Sequence, residues 1–163
     1  NPRGELVAYY DKVHLIRLME EEKYFTGGRK ECLFSLEGAK AGCVICYDIR
    51  FCEWLRTYAL RGTEVLFVSA EWPSARADHW KTLLRARAIE NQMYVVACNR
   101  CGTSGDTHFG GGSMILGPKG EIYFEGGGGE EAGFATIDLD EVAETRNFLT
   151  VFNDRVPEIY SVK

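Results

Sequence analysis

The sequence predicts a layered fold of strands and helices, and three observations lead to this prediction. Apolar runs of strand length, rich in β-branched residues, occupy residues 41–47, 64–69 and 94–99. Segments with one apolar helical face separate these runs, over residues 51–61 and 78–91. Turn-forming residues stand between several of them. Strands that alternate with helices in this order are typical of an α/β layered unit within the broader α+β class.

The first part of the chain adds one strand and one hairpin. Residues 4–12 alternate enough to predict a strand that ends near Lys12. Residues 14–30 are polar, and we expect a long loop with a helical turn, a kind of loop that is usually functional. Residues 32–36 and 41–47 predict successive strands, and residues 37–40 form the turn of the hairpin.

The middle of the chain supplies the predicted helices and their ends. Residues 51–61 place Trp54, Leu55 and Tyr58 on one face, and Gly62 ends the helix. In the second helix, Asp78 is the expected N-terminal cap and Asn91 the last residue.

The last third predicts shorter elements. We expect a loop at 102–107, a glycine-rich hairpin tip at 126–129 and a helix at 139–146. The predicted strands of this part are residues 113–116, 121–124 and 134–138. Residues 147–163 predict an extended C-terminal tail, and we interpret residues 1–163 as a single domain.

Composition excludes several classes of function. Of the 163 residues, 45% are hydrophobic and 12% aromatic, which is typical of a globular domain with a buried core. The net charge is −5, and no basic cluster suits a phosphate backbone, so we expect no nucleic-acid partner. No apolar run approaches the roughly 20 residues that span a bilayer, and residues 1–5 lack a signal-peptide pattern. The expectation is a cytoplasmic protein without membrane contact.

Six cysteines raise the possibility of a metal or redox site. Cys43 and Cys46, and again Cys98 and Cys101, are spaced C-x-x-C. If both pairs lie on strands, residues three apart point to opposite faces of the sheet. Neither pair could then share a metal or form a disulfide unless its strand ended between the two cysteines. We therefore expect reduced thiols and no metal, with a metal or redox module as an alternative.

Cys46 ends the strand at residues 41–47 and is followed by polar residues. A side chain at a strand end is held rigidly, while the loop that follows opens to a cleft, so a nucleophile there is both fixed and accessible. The alternative is an ordinary buried thiol, because free cysteine is among the most buried residue types.

Several ordered motifs then resemble one family, the nitrilase or carbon-nitrogen hydrolase superfamily. Residues 42–51 (GCVICYDIRF) resemble its nucleophile motif, and residues 10–15 (YDKVHL) resemble its lysine motif. The resemblance extends from about Tyr9 to Ile137 and is closest to the ω-amidase branch, which acts on the terminal amide of 2-oxo acids. Further matching residues are 71–73 (EWP), 79–80 (HW) and 85–92 (RARAIENQ).

This resemblance implies a fold and a reaction. The fold is a four-layer αββα sandwich, of which the chain would supply the C-terminal two-thirds. The reaction is hydrolysis of a small linear amide, without a cofactor, through a cysteine thioester that releases ammonia. Because tails such as residues 147–163 commonly cross to a partner subunit in this family, the resemblance also implies a homodimer.

The resemblance also implies the roles of the site residues. Cys46 would be the nucleophile, and Lys12 would stabilise the oxyanion together with the backbone N–H of Tyr47. A lysine beside a cysteine also favours the thiolate. Glu21 would position the lysine or the substrate, although an ordinary solvated acidic run at 20–22 is an equal alternative.

Six further positions have expected roles in the pocket or its framework. Trp72 would wall the substrate pocket or be a plain core tryptophan. Arg100 would meet a substrate carboxylate or form a surface ion pair. We expect Asp48 and Arg50 to hold the nucleophile turn through a mutual charge-assisted hydrogen bond. His14 and His79 are expected to be hydrogen-bonded framework residues.

One departure from the family concerns the general base. In this family that base is a glutamate, usually preceded by proline, located well before the lysine motif. Only eleven residues precede Lys12, and Glu5 stands in no such context. A second chain or a missing segment would have to supply that glutamate. The alternative is a catalytically incompetent fragment that serves as a structural or binding subunit.

Overall fold

The computed structural model describes residues 1–160 and has the predicted layered α+β architecture. A six-stranded mixed sheet with strand order β1-β2-β3-β4-β7-β8 forms its centre, and β5 and β6 form a separate hairpin. The strands are β1 (Cys32–Leu36), β2 (Ala39–Ile45), β3 (Val65–Ala70), β4 (Tyr94–Asn99), β5 (Cys101–Ser104), β6 (Thr107–Gly110), β7 (Met114–Leu116) and β8 (Ile122–Glu125). The helices are α1 (Cys52–Leu60), α2 (Ala77–Asn91) and α3 (Asp140–Phe148).

Three parallel strands form the middle of the sheet. β2 pairs with β3 and β3 with β4 in parallel, so their carboxyl ends lie at one edge. Their apolar residues are buried because α1 and α2 cover one face of the sheet. Val44, Leu66 and Val95 are each fully buried. In a parallel arrangement of this kind, ligands bind beyond the carboxyl ends of the strands.

The opposite end of the sheet is closed by α3. Val142 packs against the first residues of the parallel strands, among them Val65 and Tyr94. The side-chain amide of Gln92 donates to the carbonyl oxygens of Thr145 and Leu149 and so ties α3 to the end of α2. This end is therefore structural, and the loops at the other end remain available for a site.

Most predicted elements are confirmed, including the hairpin at β1 and β2, whose turn consists of only Glu37 and Gly38. Two predicted strands are wrong. Residues 4–12 and 134–138 carry no strand, because neither segment pairs with another strand among residues 1–160. Alternating residues predict an extended backbone, but a strand also needs a hydrogen-bonded partner.

Two further predictions need correction. The predicted loop at 102–107 lies in the hairpin of β5 and β6, whose turn uses Gly105 at φ 54°. Asp78 does not cap α2, which begins at Ala77 directly after a 3₁₀ helix at Ser74–Arg76. Asp78 instead lies in the first turn, where its negative charge interacts favourably with the positive end of the helix dipole.

The predicted tail is also shorter and less extended than expected. α3 continues to Phe148, and residues 149–160 form turns and a 3₁₀ helix at Pro157–Ile159. The guanidinium groups of Arg56 and Arg146 both lie over the single ring of Phe152, which holds this segment against the rest of the chain. The last three residues of the predicted tail lie outside the described residues. Within residues 1–160, no helix has the length and apolarity needed to cross a bilayer.

Candidate active site

Cys46 lies directly after β2 and begins a 3₁₀ helix at Cys46–Arg50. Its backbone has φ 47°, in the left-handed region that costs a residue with a Cβ roughly 1–2 kcal/mol. Its side chain faces a cavity, although the residue is only 8% exposed. The surrounding structure must therefore hold Cys46 in this conformation, and backbone strain of this kind is concentrated at functional sites.

Hydrogen bonds to the carboxylate of Asp48 hold the turn at residues 45–50. Asp48 is fully buried, and its carboxylate accepts hydrogen bonds from the backbone N–H of Ile45 at 3.0 Å and of His14 at 3.0 Å. It also contacts His14 Nδ1 at 2.7 Å and accepts from the Tyr10 hydroxyl at 2.9 Å. Asp48 thus joins the nucleophile turn to the segment that carries Lys12. This carboxylate was expected to pair with Arg50, and that expectation is wrong.

Lys12 and Glu21 form an ion pair beside Cys46. Lys12 Nζ donates to both carboxylate oxygens of Glu21, at 2.8 and 2.7 Å, and the two side chains are 15% and 21% exposed. Glu21 also accepts from the backbone N–H of Ile16 at 2.8 Å. Glu21 therefore lies against the lysine instead of forming a solvated acidic face with its neighbours.

Two glycines allow residues 27–28 to pack closely against residues 11–13. The N–H of Gly28 donates to the carbonyl oxygen of Lys12 at 2.9 Å. A Cβ at Gly28 would overlap the carbonyl oxygen of Asp11, and one at Gly27 would lie 2.8 Å from the carbonyl oxygen of Val13. The close approach of the two segments therefore depends on these two glycines.

The surroundings of Cys46 favour the protonated thiol over the thiolate. Burial raises its pKa above the ordinary value, and the charge of Lys12 opposes this rise without reversing it. The charges of Glu21 and Asp48 act with burial. The expectation that the lysine favours the thiolate is correct for the direction of its effect, but burial dominates.

A cavity of about 600 Å³ opens above Cys46 at the carboxyl ends of β2 and β3. Its volume suits a small-molecule substrate. Tyr47 lies at this cavity, and its backbone N–H is in the first turn of the 3₁₀ helix, where such groups have no partner within the helix. The lining residues are His14, Leu15, Ile16, Arg17, Leu18, Met19, Cys46, Tyr47, Arg50, Phe51, Glu71, Trp72, Pro73 and Arg76.

Trp72 forms one wall of the cavity and also belongs to the core. It is 3% exposed and packs against Trp80, with ring centroids 5.6 Å apart. The buried side chain of Asn99 fixes it, because the amide oxygen accepts from Trp72 N at 2.6 Å and the amide nitrogen donates to Trp72 O at 3.2 Å. Trp72 therefore lines the cavity and is also a core residue, and its contact with a substrate stays a prediction.

Arg100 lies outside the cavity. Its guanidinium pairs with Glu71 at 3.1 Å and lies over the ring of Phe109 at 4.7 Å. The geometry thus matches the surface ion pair that was the alternative for Arg100.

Three arginines line the cavity, Arg17, Arg50 and Arg76, and sequence reasoning placed none of them there. Arg50 stacks over Trp72 at 4.8 Å and contacts His79 Nδ1 at 3.2 Å. Arg76 ends the 3₁₀ helix at Ser74–Arg76, between the motifs at 71–73 and 79–80, and this place between two motifs was the available signal.

The other cysteines do not assemble a second site in the described part of the chain. All six are free thiols, and no group of three or more potential metal ligands occurs within residues 1–160. Cys43 lies on β2, whereas Cys46 follows its end.

Comparison with known proteins yields a family match and similar sequences. A family model described as carbon-nitrogen hydrolase matches residues 1–147. The chain is 48% identical over 157 residues to the 2-oxoglutaramate amidase of Bacillus subtilis, covering 96% of this chain and 61% of that protein. It is 40% identical over 120 residues to the omega-amidase YafV of Escherichia coli, covering 73% of this chain and 46% of that protein. The chain thus spans about three fifths or less of the length of these two relatives.

Solved structures show the same fold. A CN-hydrolase superfamily protein from Xanthomonas campestris aligns with a TM-score of 0.85 at 32% identity, covering 95% of this chain and 60% of that one. Nit3 of Saccharomyces cerevisiae, a member of the nitrilase superfamily, aligns with a TM-score of 0.84 at 30% identity, covering 91% and 55%.

Proposed function

Because the chain belongs to the carbon-nitrogen hydrolase family, we propose that it carries the nucleophile of an enzyme that hydrolyses a small amide. The observation that supports this most directly is the position of Cys46, on a strained turn below a cavity and beside the Lys12–Glu21 pair. The names of the two amidase relatives support a more specific substrate, the terminal amide of a 2-oxo acid or of another dicarboxylic acid monoamide.

The proposed reaction has two stages. The sulfur of Cys46 attacks the amide carbon, and the carbonyl oxygen becomes an oxyanion that Lys12 Nζ and the N–H of Tyr47 stabilise. The C–N bond then breaks, and the nitrogen leaves as ammonia with the proton that came from the thiol. Water attacks the resulting thioester, which releases the carboxylic acid and restores the thiol. Glu21 holds Lys12 in place through both stages.

Attack by the thiol of Cys46 requires a proton acceptor. Since burial raises the pKa of Cys46, the proton must leave as the sulfur attacks. Glu71 is the one carboxylate residue that lines the cavity in the described part of the chain, and it pairs with Arg100. Glu5 contacts Asn1 and Arg3 instead. We propose that a glutamate from a second chain, or from a segment other than this one, accepts the proton.

The assembly and location are also proposals. We propose a homodimer, as the family resemblance implies, and light scattering on the purified protein tests it by giving the mass in solution. We propose a cytoplasmic location, and the six free thiols support it because disulfides are rare in reducing compartments.

The nucleophile is tested by the release of ammonia from a five-carbon 2-oxo acid monoamide. Cys46→Ala is expected to abolish release, whereas Cys52→Ala is the matched control because Cys52 is exposed and outside the cavity. Release that continues unchanged in Cys46→Ala would contradict the assignment. A wild-type protein that releases no ammonia from any amide would favour the alternative of an incompetent subunit.

A further inference from the structure

The cavity above Cys46 carries an excess of positive charge. Three arginines line it, Arg17, Arg50 and Arg76, against the single carboxylate of Glu71. That carboxylate is already paired with Arg100 at 3.1 Å. Within residues 1–160, none of the three arginines forms an ion pair with an acidic side chain. The cavity therefore has a positive potential that favours an anionic ligand.

The three arginines differ in how firmly they are held. Arg17 is exposed, at the start of the 3₁₀ helix at Arg17–Met19. The guanidinium of Arg50 is already stacked on Trp72 and in contact with His79. Arg76 is half-buried, and its guanidinium has no hydrogen-bond acceptor among the described residues. Of the three arginines, Arg76 is thus the half-buried one whose guanidinium forms no hydrogen bond or ion pair within residues 1–160.

The backbone of Arg76 is fixed to the cavity wall. Its carbonyl oxygen accepts a hydrogen bond from Trp72 Nε1 at 2.7 Å, and its N–H donates to the carbonyl oxygen of Pro73 at 3.0 Å. The side chain therefore starts from a rigid point beside Trp72. A guanidinium presents a planar pair of donors that matches a carboxylate, so a fixed arginine gives both charge and orientation.

We infer that Arg76 is the specificity-determining residue that binds a carboxylate of the substrate, at the end opposite to the amide that Cys46 attacks. This inference rests on the proposed amidase function for the direction of the substrate. It assigns the role that sequence reasoning gave to Arg100, which lies outside the cavity. A neutral amide of the same length lacks the group that Arg76 binds, so the enzyme discriminates against it.

The first test needs no turnover, because it compares two alkylating reagents at Cys46. Iodoacetate carries a carboxylate and iodoacetamide does not, and peptide mass spectrometry reports the alkylation of Cys46 separately from the other thiols. Arg76→Gln is expected to lower the iodoacetate-to-iodoacetamide rate ratio about tenfold, the size expected for one lost charge-assisted hydrogen bond. Arg76→Lys should recover part of the ratio. An unchanged ratio in Arg76→Gln would overturn the inference.

The matched control is Arg61→Gln. Arg61 is exposed and pairs with Glu31 at 3.2 Å on the surface, so this variant removes the same charge away from the cavity. Its reagent ratio should equal that of the wild type. A fall as large as that of Arg76→Gln would show a general effect of net charge and would also overturn the inference.

The second test uses kinetics and separates the inference from the proposed function. For a dicarboxylic acid monoamide, Arg76→Gln should lower kcat/KM about tenfold, mainly through KM, and it should leave a neutral amide of equal length unchanged. An equal loss for both amides would contradict the role of Arg76 in specificity. If the wild type hydrolyses neither amide, the proposed function fails, and the reagent ratio still decides whether Arg76 binds a carboxylate.

Discussion

The nucleophile turn (residues 45–50) and the lysine loop (residues 11–28) lie side by side, but different interactions hold them. The turn is part of the core, with Asp48 and Ile49 fully buried and α1 and α2 behind them. The loop carries no strand, and Leu18 and Met19 are 86% and 48% exposed. The backbone N–H of His14 donates to Asp48 at 3.0 Å and joins the loop to the turn. The polar contacts of Glu21 and Gly28 lie within the loop and hold its own conformation.

This difference indicates how the site divides its tasks. Packing fixes the cysteine before any substrate binds, whereas the position of the lysine depends on a few hydrogen bonds that water can replace. Changes in the turn should therefore reduce the stability of the whole domain. Changes in the loop should reduce activity with little effect on folding.

The largest effect is expected at Asp48, where the two regions meet. Asp48→Ala removes the acceptor of four hydrogen-bond contacts, from Ile45, Tyr10 and two groups of His14. Because buried donors without partners are costly, we expect the free energy of unfolding to fall by about 3 kcal/mol. Urea denaturation monitored by tryptophan fluorescence measures this loss.

Two variants sharpen that prediction. Asp48→Asn keeps the shape and one acceptor oxygen, so its loss of stability should be smaller. Asp78→Ala removes a carboxylate that is exposed in the first turn of α2, and it should change the free energy of unfolding by under about 1 kcal/mol. If Asp48→Ala were no less stable than Asp78→Ala, the turn would not depend on this buried carboxylate.

The next effect concerns the loop alone. In Gly28→Ala, the added Cβ would overlap the carbonyl oxygen of Asp11, so the loop must shift and take Lys12 with it. A shift of about 1 Å in a catalytic group can lower the rate about 100-fold. We expect kcat/KM for amide hydrolysis to fall 10- to 100-fold, while the urea midpoint changes little.

Gly129→Ala provides the comparison, because a Cβ at Gly129 meets no atom within 4 Å. It should match the wild type in both activity and stability. A Gly28→Ala protein that loses stability as strongly as Asp48→Ala would show that the loop is part of the folding core, contrary to the division of tasks described above.

The same comparison explains what the sequence could predict. β2, β3, β4, α1 and α2 follow from apolar periodicity, since burial selects the residues that display it. The position of Cys46 at the end of β2 follows from the same pattern. The partnership of Lys12 and Glu21 came instead from a resemblance, because a loop of polar residues has no period that shows which side chains meet.

The failures have physical causes as well. Residues 134–138 have an alternating pattern but no partner strand in the described chain, and periodicity cannot supply a partner. The left-handed backbone of Cys46 could not be predicted from its residue type, because cysteine rarely adopts this conformation. Arg50 does not pair with Asp48, because His14 and Tyr10, which are distant in sequence, already bind that carboxylate. Arg50 lies over the ring of Trp72 instead.

The smallest expected effect is the change in the pKa of Cys46 when a nearby charge is removed. A thiolate is stabilised by the charge of Lys12 and destabilised by that of Glu21, so removing each charge should move the pKa of Cys46 in opposite directions. Lys12→Met should raise the pKa and shift the rise of Cys46 alkylation with pH to higher pH. Glu21→Gln should lower the pKa and shift the profile to lower pH.

Alkylation by iodoacetamide, followed at Cys46 by peptide mass spectrometry across a pH series, measures both shifts. Glu22→Gln is the matched control for Glu21→Gln, because Glu22 is the exposed neighbour and makes no ion pair within residues 1–160. Its profile should coincide with that of the wild type. If Lys12→Met and Glu21→Gln moved the profile in the same direction, Lys12 and Glu21 would influence Cys46 through the position of the loop and not through their charges. In that case, the polar contacts of the lysine loop would govern Cys46 as well as Lys12.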